Sequence, residues 1–70
     1  MHTQLKDCAS QLLLAAVTMR NEEATEAILD VIDLLFNEAE QIELADMAYN
    51  NLDESGYDWL QEQIALLDSF

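Results

Sequence analysis

No proline interrupts this chain, and one glycine, Gly56, is all that could punctuate it from within. Most of the sequence is therefore free to be helical. One cysteine, Cys8, excludes an internal disulfide and suits a reducing compartment. One histidine, His2, sits beside Met1, and no Gly-rich phosphate loop exists, so the usual nucleophile, base and phosphate-cradle constellations are missing. Acid pairs abound, but carboxylates become acid–base catalysts only in a cleft that separates their pKa values, and a bundle this small seldom has one. The expectation is a binding protein, not an enzyme, with no cofactor and no metal. The longest unbroken apolar run, Leu12 to Val17, is far too short to span a bilayer. The polar start after Met1 does not read as a signal peptide, so the expected location is the cytoplasm.

The scarcest class is the cation. Lys6 and Arg20 face 15 Asp and Glu, for a formal charge of −13 on 70 residues. The distribution is uneven: Asn21 to Phe70 holds fourteen of those acids and neither cation. Phosphates would be repelled, which argues against direct binding to nucleic acid or to an anionic membrane and in favour of a basic protein partner. Solubility alone asks for a net charge of only about 2–8 in a small domain. A 51% apolar content argues against disorder, and 70 residues make one domain, 1–70, burying roughly 60% of its unfolded surface.

The periodicity predicts an all-α fold, a small compact bundle of three or four short helices. Thr3 reads as the cap of a first helix reaching about Met19. Leu5, Cys8, Leu12, Ala16 and Met19 form one stripe of it, and Leu13, Leu14 and Val17 add apolar surface beside the stripe. So apolar a helix should be central, with Cys8 a small buried hydrophobe. Asn21 caps a second helix to about Phe36, with Glu22 and Glu23 in its first turn and Ala24, Ala27, Ile28, Val31, Leu34 and Leu35 inward. Glu22, Glu26, Asp30 and Asp33 then form an acidic stripe opposite the apolar one. A solvated helix face explains their polarity but not their common sign, because like charges at i, i+4 are unfavourable.

Asn37 and Glu40 read as a capping box that breaks the chain, the alternative being one long helix through residue 37. The third helix, Glu38 to about Asn50, is expected to bury Ala39, Ile42, Ala45 and Tyr49. Glu40, Glu43 and Asp46 mark its outer side, near Leu44 and Met47. Ser55 and Asp58 suggest a second capping box and a helix from Gly56 to Asp68, with Tyr57, Leu60, Ile64 and Leu67 on one face and Trp59 and Phe70 elsewhere. The same segment resembles a calcium-binding EF-hand loop over 51–62. Asn51, Asp53, Ser55, Gly56, Tyr57 and Glu62 stand at the first, third, fifth, sixth, seventh and twelfth positions, although an Asn begins it, Asp58 stands where an apolar residue is usual, and there is no partner loop.

Two readings of function follow. In the first, Glu22, Glu26, Asp30 and Asp33, extended by Glu40, Glu43 and Asp46, imitate nucleic-acid charge and bind the basic groove of a DNA- or RNA-processing protein. In size and charge the chain resembles small acidic helical proteins of phages and mobile elements that block restriction, CRISPR or repair enzymes; the resemblance is of class and carries no shared motif. In the second, the chain is a helical adaptor or regulatory subunit that binds through Leu44, Met47, Tyr57, Trp59 and Phe70, with charge supplying steering. Either reading admits a homodimer that buries the apolar excess.

Overall fold

The computed structural model describes the backbone of residues 2–68 and the side chains of residues 4–67. Four helices follow one another among the described residues: α1 (His2–Thr18), α2 (Glu22–Leu35), α3 (Glu38–Tyr49) and α4 (Glu54–Asp68). No strand occurs among the described residues, so the molecule is an all-α bundle of short helices, with Cα extents of 30 × 27 × 18 Å. No helix is long and apolar enough to cross a membrane among the described residues.

Short links reverse the chain by side-chain capping, because glycine is missing where helices usually stop. Arg20 takes the left-handed conformation, φ 55°, that normally favours glycine at a helix end. Asn21 N–H donates to the Ala16 carbonyl and Arg20 N–H to that of Val17, closing a Schellman-type end to α1. The Arg20 guanidinium offsets the strain: it donates to the Val17 carbonyl at 2.6 Å and to Ser55 Oγ at 3.0 Å, and lies 5.7 Å from the Trp59 ring centroid. It thereby ties the end of α1 to the start of α4.

Asn21 caps α2 by accepting from Ala24 N–H at 3.0 Å. The break at Asn37 is real. Its side chain accepts from Glu40 N–H at 2.9 Å, while the Glu40 carboxylate accepts from Asn37 N–H at 3.1 Å. Two other expected caps move. α1 already includes His2, which places Thr3 inside the helix; the side chains of both lie outside the described residues. α4 is capped by Asp53, whose Oδ1 accepts from Gly56 N–H at 2.7 Å, in place of Ser55. A carboxylate matches the helix dipole better than a hydroxyl, and it leaves Ser55 free to accept from Arg20.

α1 packs on all three other helices, as a central helix should. The core consists of Leu13 and Val17 from α1, Ile32 and Phe36 from α2 and the link after it, Leu44 and Ala48 from α3, and Leu60 from α4. Trp59 and Ile64 pack against it from α4, so Trp59 closes the core; Phe70 lies outside the described residues.

The buried faces nevertheless differ from those expected. On α1 the seam runs through Ser10, Leu13, Ala16 and Val17, while Leu5, Cys8, Leu12 and Met19 are exposed. On α2 it runs through Thr25, Ile32 and Phe36, with Val31, Leu34 and Leu35 outside and Ala27 exposed. On α3, Leu44 is buried and Met47 half-buried, while Ala39 and Ile42 face solvent. On α4, Leu60 is buried as expected, but Tyr57 is exposed, its ring edge-on to Tyr49 with centroids 4.9 Å apart. The apolar sectors of α1 and α2 are wider than one seam. Three neighbours around α1 can cover only the part that all of them reach, and the remainder stays at the surface.

Candidate functional site

The four acids of the α2 file, Glu22, Glu26, Asp30 and Asp33, are all exposed. At 100° per residue they cluster roughly 100° from the seam of Thr25, Ile32 and Phe36, so the file runs beside the buried seam and not opposite it. The sector beyond, expected to be the core, is the exposed apolar one. α2 therefore shows solvent two different flanks, acid on one side and aliphatic on the other.

The α3 acids do not extend this file into one surface. Gln41 turns toward α2, donating to the Phe36 carbonyl at 2.8 Å and approaching Asp33 Oδ1 at 3.5 Å. Glu43 points away from that side, toward α1, where its carboxylate accepts from Lys6 Nζ at 2.6 Å. Two residues of helix separate Gln41 and Glu43 by about 200° of rotation, so α3 stands between the file and Glu43. Glu40 is half-buried and holds the capping box, and Asp46 is exposed. Lys6 covers its stem and keeps its ammonium at the surface. The bond to Glu43 holds that ammonium above the ordinary lysine value, against a smaller opposing effect of desolvation.

Three features escaped the sequence reading. Glu54, Asp58 and Glu62 form a second exposed acid file at i, i+4 and i+8 on α4, beside Arg20 and Trp59 in a shallow depression that also includes Asp53. The i, i+4, i+8 spacing is visible in the sequence, but there Glu62 reads as a calcium ligand and Asp58 as half of a capping box, and Glu54 carries no signal alone. That alternative fails on geometry: every position of the 51–62 segment from Glu54 onward is helical, and Asp53 is occupied as a cap. Among the described residues no group of three or more His, Cys, Asp or Glu side chains is placed to hold a metal ion. Next, a cleft of about 250 Å³ opens between α2, α3 and α4, with Leu13, Ile32, Leu44 and Leu60 in its wall and Asp33 and Gln41 at its edge. Last, the exposed aliphatic face of α1 and α2 replaces the set expected for an apolar contact. Leu44 is 1% exposed and Met47 and Trp59 are half-buried, so little of those three is offered to a partner.

No protein family, curated protein or solved structure matches the chain.

Proposed function

We propose that this protein is a small inhibitor that occupies the basic nucleic-acid-binding surface of a DNA- or RNA-processing protein, its carboxylates standing where phosphates would stand. The observation that carries the reading is the α2 file: four exposed carboxylates on one flank of one helix, in a region of fifty residues without a Lys or Arg. From Glu22 to Asp33 the file spans about 16 Å, or roughly 5–6 Å between successive charges. A nucleic-acid strand carries one charge per about 3.4 Å of axis, so the file is coarser but within reach of Lys and Arg side chains built for phosphates. The α4 file adds a second row. Both cations of the chain are engaged within the fold, Lys6 with Glu43 and Arg20 with Ser55 and the Val17 carbonyl; neither lies in the α2 file, while Arg20 borders the α4 row. The cleft at the Asp33 end offers a place for the aliphatic stem of a basic side chain whose head meets the carboxylate. Such a partner works in the cytoplasm, and anti-restriction or anti-CRISPR activity of a phage or mobile element is the setting that fits size and charge.

The test is competition. Captured basic nucleic-acid enzymes should lose DNA or RNA to the wild-type protein, with an apparent affinity that falls steeply as salt rises. Replacing Glu22, Glu26, Asp30 and Asp33 together by Gln should weaken the competition by at least about a hundredfold, a little under 3 kcal/mol. Undiminished competition by that variant would sink the reading.

A further inference from the structure

We infer that the acid-free face of α1 and α2 is where two copies of this chain meet. Six of the nine large hydrophobic side chains exposed on the described surface belong to these two helices or to the turn between them: Leu5, Leu12, Met19, Val31, Leu34 and Leu35, at 47–83% exposure. Leu12 and Val31 stand at a groove of about 160 Å³ between the helices, whose remaining lining is Ala9, Ala27, Ile28 and Ile32. An all-aliphatic hole of this kind receives an aliphatic knob from a facing helix.

Area and charge together identify the occupant. Burying a leucine removes roughly 60–120 Å² of apolar surface, so six half-exposed side chains offer on the order of 200–350 Å². A standard interface buries about 800 Å² per partner, roughly 65% of it apolar in homodimers, so these six side chains supply about half of the apolar area that one side needs. No Asp or Glu lies along the groove, in a chain where 15 of 70 residues are acidic; Glu23, and Asp30 one turn before Leu34, border the patch on the far edge of α2. A basic partner finds no counter-charge here. Two chains of charge −13 repel each other over most of their surface, and the acid-free groove is where they can approach with the fewest carboxylates between them. The inference uses the flank of α2 that the inhibitor reading does not use, so either can fail without the other.

Salt separates them. Binding to a basic partner weakens as salt rises. Pairing of two like-charged chains strengthens, because the Debye length contracts from about 30 Å at 0.01 M to about 8 Å at 0.15 M while the apolar contact persists. Sedimentation equilibrium of the whole 7.9 kDa protein should show a dimer whose population grows with added salt. Leu12→Asp and Val31→Asp should each weaken it by at least tenfold, and Ile42→Asp, at a comparably exposed residue of α3, should leave it unchanged. Cys8, exposed on the same side of α1 between Leu5 and Leu12, reports on the unaltered chain: its alkylation should slow at concentrations where the dimer forms. A wild-type chain that stays monomeric at every salt concentration, as it would if the face docked a different protein, overturns the proposal. So does a dimer in which Cys8 reacts at the monomer's rate, or one that Ile42→Asp weakens as much as Leu12→Asp.

Discussion

The two flanks of α2 differ in chemistry, although both are exposed and both adjoin the same buried seam. On one side Glu22, Glu26, Asp30 and Asp33 accumulate charge of one sign; on the other Ala27, Val31, Leu34 and Leu35 accumulate none. A helix that only had to cover a core would spread mixed charges over its solvent side and gain from i, i+4 pairs. Here one flank forgoes that gain and the other leaves aliphatic surface in water. Each departure runs against the stability of the isolated chain, and each is what the proposed inhibitor and dimer contacts would require. The helix meanwhile contributes only Thr25, Ile32 and the adjoining Phe36 as fully buried side chains.

Substitutions along α2 sharpen the contrast. Ile32→Ala, in the seam, should cost about 2–5 kcal/mol, the range for large-to-small changes in a packed core. Leu34→Ala, two residues on and 83% exposed, should stay within about 0.5 kcal/mol. Urea unfolding of both measures the difference, and equal losses would mean that the exposed flank is packed after all. Thr25→Val should instead stabilise by about 1 kcal/mol, because the Thr25 hydroxyl is buried with no hydrogen-bond partner and valine keeps its shape. A loss there would show that the hydroxyl is satisfied in solution.

On the acid flank, Asp30→Lys turns two like-charge pairs, with Glu26 and with Asp33, into opposite ones. It should raise stability by roughly 0.5–1 kcal/mol while weakening binding to a basic partner, which separates the needs of the fold from those of function. The smallest effect belongs to Lys6. Its ammonium is raised by the Glu43 bond, so the pair's contribution is present below the ordinary lysine value of 10.5 and is lost as pH rises through the folded value. Thermal unfolding of wild type and Lys6→Met should differ only slightly at neutral pH and converge above that window.

Local rules were readable residue by residue. Asn21 and the Asn37–Glu40 box were legible because a cap needs only a side chain and a backbone N–H three residues apart. Ser55 misled because Asp53, two residues earlier, competes for the same task with a charge. The burial faces were harder. On α1, Leu5, Cys8, Leu12, Ala16 and Met19 do lie along one stripe, but most of that stripe is exposed, and the seam through Leu13 and Val17 was taken for its margin. On α3, the acids flank Leu44 and Met47 so closely that their position in sequence suggested solvent, yet Leu44 is among the most buried side chains in the molecule. The acids of α2 were correctly placed at the surface; their separation from Glu43 depended on which way α3 turns.

What the sequence determined by itself is the helical class, the starts of α2 and α3, and a surface dominated by acid, because these follow from spacing, capping and composition within a few residues. Only the tertiary structure decided which apolar stripe is core and which is left outside. That choice depends on how many neighbours can surround α1 at once, and an apolar sector wider than one seam satisfies the periodicity of more than one answer.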